Sequence, residues 1–212
     1  MPNLPPITRA LLIANGLIFL LQQLGGDYLV AHYALWPVGE SHWLRMDNGA
    51  IVSVGFSAWE LVTYAFLHGG FAHIAFNMFA LWMFGAPVEN ALGARRYTLY
   101  YSVCVVGAAV AQLAVIHYFK PDEFYPTLGA SGGVFGLLLA FAIIYPGARI
   151  ALLFFPVPIP AMIAVIGYMA IELVLGITGT QEGVAHFAHL GGAAAGYVLL
   201  RFWRAKALNR RD

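Results

Sequence analysis

Ser131 stands in the stretch "GASGG", residues 129–133, where a polar loop meets an apolar run. A serine so placed has three uses: as a helix cap, as a packing residue in a close helix contact, or as a nucleophile. A nucleophilic hydroxyl needs a base within hydrogen-bond reach, and donors for the oxyanion that forms when it attacks a carbonyl. His189, in "HFAHLGGAAAG", is a candidate base. Gly192 and Gly196, which follow it, have the GxxxG spacing that lets one helix approach another closely. A Ser–His hydrogen bond between helices needs that approach. His73 and Asn77, in "HGGFAHIAFN", are four residues apart and so share one helix face. Together with Gly129 and the backbone N–H groups at the start of the helix that Ser131 opens, they are candidates for holding the oxyanion or the substrate.

The elements that would position these groups are membrane-spanning. The chain has 212 residues, of which 61% are hydrophobic and 10% charged, and its mean hydropathy is +0.75. These values lie far outside soluble usage. A net charge of +1 gives no reason to expect nucleic acid, and a single cysteine, Cys104, excludes an internal disulfide framework or a Cys-based zinc site. Apolar runs near the length a bilayer requires predict six spans, at about 8–24, 70–88, 96–118, 130–146, 150–173 and 184–203. The first, behind Arg9, has no clean small-residue cleavage pattern and reads as a retained span rather than a signal peptide. With the N-terminus inside, Arg9, Arg95, Arg96, Arg149, Arg201, Arg204, Lys206, Arg210 and Arg211 fall on the cytoplasmic side. Only Arg45 and Lys120 fall outside. The resulting fold class is an all-α polytopic membrane protein forming one domain over residues 1–212, with both termini cytoplasmic. The long connection from Gly25 to Trp59, with Trp36, Trp43 and Trp59, is expected to lie partly in the outer interface.

Helix arithmetic places the candidates in one layer. Ser131 to Tyr145, where "YPG" ends the fourth span, is about 21 Å, against a hydrocarbon core of about 30 Å. That helix is too short to cross, so Ser131 should begin it below the outer surface. Irregular backbone at such depth needs protein or a water-filled cavity around it, and the glycines permit a crowded loop-to-helix turn there. His189 is about 18 Å from Arg201, and Asn77 about 18 Å from Glu89. Taken singly, His73 and His189 also read as hydrogen-bonded structural residues, and Asn77 as interhelical glue. His68 reads as ordering the loop into the second span, His186 as a loop or helix-start residue, His32, His42 and His117 as interfacial, and Glu89 as structural. Glu172, about 33 Å along a helix from Ile150, is expected near the outer surface, with a proton relay as the minor reading. A transporter or channel would also suit such an interior, but no internal repeat is visible. There is no HExxH for a zinc protease, and the hydropathy excludes a soluble α/β-hydrolase.

In order along the chain, "HGGFAHIAFN" with "GAPVENALG", then "GASGG", then "AHLGGAAAG" resemble the rhomboid intramembrane serine proteases, in their six-span bacterial form. The resemblance covers Trp59 to Gly196. It implies a Ser131–His189 dyad without a catalytic acid, with His73 and Asn77 helping to hold the oxyanion. It also implies a six-helix bundle with a short central fourth helix, a first loop in the outer leaflet, and a fifth span and adjoining cap that control substrate access. No metal and no cofactor are implied; the partners are transmembrane protein substrates and the lipid bilayer, in a bacterial inner membrane. A non-catalytic relative that binds or escorts membrane clients is the alternative. Many relatives carry Trp-Arg where this chain has Trp59 and Glu60, which puts any contact of that arginine in doubt.

Overall fold

The computed structural model describes residues 4–25, 27–46, 48–152, 155–179 and 185–208. Helix α1 (Pro6–Gly25) opens on a proline, whose missing N–H would have no partner in a first turn in any case. The next two N–H groups donate to a distant carboxylate: Ile7 N and Thr8 N lie 2.9 and 2.7 Å from Glu89, and the Thr8 hydroxyl adds a third bond of 2.7 Å. Glu89 is thus structural, as expected. It caps α1 with a charge of the sign that a helix N-terminus favours.

The long connection after α1 folds into α2 (Asp27–Tyr33), an antiparallel hairpin of β1 (His42–Arg45) and β2 (Ile51–Val54), and the single turn α3 (Glu60–Thr63). Trp43 and Trp59 are exposed, as interfacial residues would be. Trp36 is not: it packs with Ala31, Met46 and Val54 and stacks on Phe124, forming a small core for the loop. Glu60 is buried beside it, and one carboxylate oxygen accepts the Trp36 N–H at 3.0 Å. Burial pushes this carboxyl above the usual range, against the opposing pull of the Trp36 and Ser57 N–H groups. Glu60 therefore serves as an acceptor for the loop backbone. Glu60→Ala would leave the buried Trp36 N–H unpaired, which costs about 1–3 kcal/mol. A lowered Tm in detergent is expected for Glu60→Ala but not for Glu60→Gln, which keeps an acceptor; equal melting of Glu60→Ala and wild type would show that the bond has no weight.

Next come α4 (Phe71–Ala80), a π-helical turn (Leu81–Gly85) and α5 (Ala86–Leu92), forming one apolar segment that stops at Gly93, where φ is 76°. Helices α6 (Ala94–Phe119) and α7 (Ser131–Ile144) follow. These bounds and those of α1 lie within a few residues of the first four predicted spans. The fifth differs. Arg149–Leu152 (β3) and Phe155–Pro160 (β4) pair as a hairpin, and the helix α8 begins only at Ala161, running to Thr178. Pro156, Pro158 and Pro160 explain the correction, because each lacks an N–H and holds the residue before it out of the α conformation. The predicted start of the sixth span, at 184, lies outside the described residues, as do Arg210 and Arg211; α9 runs from His186 to Leu208.

Among the described residues, α1, the Phe71–Leu92 segment, α6 and α8 are long and apolar enough to cross a membrane, and α7 is shorter at 14 residues. Helix α9 has 23 residues but carries Arg201, Arg204 and Lys206 towards its end. The chain is an integral membrane protein built as a helical bundle with two small hairpins.

Helix α7 is the centre of that bundle, and small residues set its contacts with α6 and α9. A Cβ added to Gly132 would strike Ala108, one on Gly133 would lie 2.5 Å from the Tyr101 ring, and one on Gly136 would strike Cys104, all on α6. The α7–α9 contact is closer still, since a Cβ on Gly192 would overlap the Gly132 carbonyl. Gly192 therefore brings α9 to the helix of Ser131, as its spacing predicts. Gly196 does not: its neighbours are Tyr100 and Cys104, so it brings α9 to α6 instead. The Tyr100 hydroxyl completes the seam by donating to the Gly136 carbonyl at 2.7 Å.

Candidate active site

Ser131 is the first residue of α7, and the chain reaches it through a backbone shape open to glycine. Gly129 has φ 128°, its N–H donates to the Tyr64 carbonyl at 2.9 Å, and a Cβ there would lie 2.8 Å from the His73 ring. Any other residue at 129 would be strained and would also push His73 away. Upstream, a bridge between Leu35 and Thr127 ties the same loop to the segment after α2.

The Ser131 hydroxyl lies 2.7 Å from Nε2 of His189, one turn into α9. Phe135, one turn along α7 from Ser131, stacks flat on the imidazole, with centroids 4.4 Å apart and planes 7° from parallel. The ring is thus held between helices by packing on its face and a hydrogen bond at its tip.

His73 and Asn77 line the same cavity, of about 580 Å³, as Ser131 and His189. His73 Nδ1 accepts the Gly69 N–H at 3.2 Å, so in the neutral ring Nε2 carries the proton and is a free donor. The Asn77 amide donates one N–H to the His73 carbonyl at 3.0 Å and keeps the other. Gly129 is buried against His73 and is not one of the cavity walls. Three other histidines lie elsewhere: His32 stacks on Tyr28, His42 packs at a tilt on Phe124, and His117 meets Tyr118 edge-on. The backbone of His68 is held in both directions by the Gln22 side chain, at 3.1 and 2.8 Å, consistent with a role in ordering that loop.

One carboxylate reaches the site that the sequence placed far from it. Oε2 of Glu172 lies 2.8 Å from Nδ1 of His189 and 2.7 Å from Nδ1 of His186. The miss follows from the start of the fifth helix. Counted from Ala161 instead of Ile150, Glu172 is about 17 Å along α8, level with the first turn of α9. The alternating prolines 156, 158 and 160 were the signal that would have found it.

A serine hydroxyl and an imidazole are thus joined inside an apolar helical bundle, beside a cavity lined by further N–H donors. A sequence profile of the Rhomboid domain matches residues 55–206, and the chain belongs to the rhomboid family. It is 29% identical over 219 residues to rhomboid protein 1, mitochondrial, of Saccharomyces cerevisiae, covering 99% of this chain and 59% of that protein. It is 34% identical over 142 residues to rhomboid protease GluP of Bacillus subtilis, covering 66% of this chain and 25% of the other. It is 30% identical over 136 residues to rhomboid protease GlpG of Klebsiella pneumoniae, covering 64% and 42% respectively. The chain thus spans between a quarter and three fifths of the length of these relatives. They include a protein named as mitochondrial, a wider range than the bacterial inner membrane expected from the sequence.

Proposed function

We propose that the chain is an intramembrane serine endopeptidase that cleaves peptide bonds in or near the transmembrane segments of other membrane proteins. The observation that carries this reading is the 2.7 Å contact between the Ser131 hydroxyl and His189 Nε2 at the wall of a cavity inside the bundle. Ser131 Oγ attacks the scissile carbonyl and its proton passes to Nε2, a general-base step worth typically 10² to 10⁴ in rate. The carbonyl electron pair moves onto oxygen. The backbone N–H groups at the start of α7, His73 Nε2–H and the spare Asn77 N–H are the donors for that oxyanion. As the intermediate collapses, the amine leaves with the proton from Nε2. Water from the cavity then hydrolyses the ester by the same proton path in reverse.

A second, apolar cavity of about 770 Å³ lies between α4 and α8 and shares Phe76, Ala80, Leu138 and Tyr168 with the first. It suits an apolar substrate segment arriving from the lipid side, and its position beside α8 agrees with a fifth span that controls access. In this reading the chain crosses the membrane six times with both termini cytoplasmic. The chemistry draws on the chain's own side chains and backbone, and on water.

Cleavage of a panel of single-span membrane proteins by wild type but not by Ser131→Ala, with fluorophosphonate labelling that also requires Ser131, is the expected result. A client-binding protein would give neither. Asn77 makes a graded expectation, because removing one oxyanion donor typically costs about 10² to 10³ in rate and other donors remain. Asn77→Ala should therefore cleave slowly yet still form the acyl-enzyme; an unchanged kcat would leave Asn77 as interhelical glue.

A further inference from the structure

We propose that Glu172 is a positioning residue for the Ser131–His189 pair, orienting the His189 imidazole, and that His186 holds Glu172 in place for this task. The inference rests on the serine protease reading and concerns what orients its base. For His189 Nε2 to accept the Ser131 proton, the neutral ring must carry its own proton on Nδ1. That tautomer is selected by whatever accepts the Nδ1–H, and Glu172 Oε2, 2.8 Å away, is the acceptor present. When Nε2 gains the serine proton the ring becomes an imidazolium, and a carboxylate on its far side stabilises the new charge. The Nδ1 proton stays on nitrogen throughout; only the Ser131 proton moves, to Nε2 and then to the leaving amine.

The surroundings of Glu172 support this task. The residue is only 4% exposed, and a carboxylate so enclosed is costly unless its oxygens are hydrogen-bonded. Two donors on one oxygen, His186 and His189, meet that need and fix the direction of the lone pairs. The two rings stand nearly perpendicular, at 86°. Glu172, His186 and His189 also make a three-ligand set with donor atoms within 4.8 Å of one another. The spacing argues against a cation between them. Ligands about 2.05 Å from a tetrahedral zinc stand roughly 3.3 Å apart, whereas both nitrogens here are at N–H···O distance from the carboxylate, 2.7 and 2.8 Å.

The test compares purified full-length wild type, Glu172→Gln, Glu172→Asp and Ser131→Ala in proteoliposomes, by fluorophosphonate labelling rate and by kcat and KM on one cleavable single-span protein. In Glu172→Gln the amide can turn its NH₂ to Nδ1, which favours the wrong tautomer and removes the charge. The expected result is a fall of at least 10² in kcat and in labelling rate, with KM within threefold of wild type. In a soluble triad the corresponding loss is about 10⁴. Glu172→Asp, which keeps the charge on a shorter arm, should recover at least tenfold over Glu172→Gln. Labelling of Glu172→Gln at the wild-type rate overturns the inference. So does an equal loss in the Asp and Gln variants with a matching drop in Tm, since that is the pattern of a residue that only holds the fold. If instead wild type is not labelled, or Ser131→Ala still cleaves, the protease reading itself fails, which is a different outcome from either.

Discussion

Ser131→Ala and His189→Ala are each expected to lose proteolysis by roughly 10⁴- to 10⁶-fold, and the double variant to lose no more than either, because in the proposed mechanism nucleophile and base act as one unit. The 2.7 Å bond between them is the physical ground for that non-additivity. Removing the hydroxyl leaves an imidazole with nothing to deprotonate. Removing the imidazole leaves a hydroxyl that is a poor nucleophile at neutral pH. Neither change should unfold the bundle, since the seam around α7 is made by glycines, alanines and the Tyr100 bond rather than by this pair. Single-turnover cleavage in proteoliposomes, with thermal unfolding as the control, measures both halves. Additive losses in the double variant would mean that the two residues work separately.

Gly192→Val is expected to lower activity by a different route. A Cβ at 192 has no space, because the Gly132 carbonyl occupies it and belongs to backbone that cannot rotate away. α9 must therefore move off α7, and His189, one turn before Gly192, moves with it. A misplacement of about 1 Å can cost roughly 10² in rate, so cleavage and labelling of Ser131 should both fall at least that far, together with a lower Tm. Gly16→Ala is the contrasting case: nothing lies within 4 Å of a Cβ at that position, and replacing a helical glycine by alanine should be neutral or stabilising by about 0.5–1 kcal/mol. Wild-type cleavage by Gly192→Val would show that this contact does not set the Ser131–His189 geometry. Gly196→Val tests the α6 side of α9 separately, since Tyr100 and Cys104 are what it would meet.

What could be read from the sequence, and what could not, follows from how each feature is encoded. Helices here are written as long apolar runs, so the bounds of α1, the Phe71–Leu92 segment, α6 and α7 were legible to within a few residues. The length of α7 was legible too, because "YPG" marks its end and "GASGG" its start. Glu172 was placed wrongly because its level depended on an assumed helix start, and a run such as "ALLFFPVPIP" is as apolar as a span while its prolines forbid the helix. Trp36 was placed at an interface because tryptophan in a membrane loop often lies there; its burial depends on β1, β2 and Phe124, which are distant in sequence. Gly196 shares the GxxxG spacing of Gly192, yet spacing cannot say which of two neighbours each glycine meets. Around α9 they meet different ones.

The order in which the chain is synthesised gives the site one more property. Ser131 and His189 are 58 residues apart, and α9, which carries the histidine, fits into a slot walled by α6 and α7, both made earlier. At about 5–20 residues per second that separation takes roughly 3 to 12 s, during which the serine exists in the growing chain without its base. Glu172, on α8, is made in the same interval and also waits for α9 to supply both of its imidazoles. In the proposed mechanism, reactivity is therefore switched on only when α9 completes the bundle.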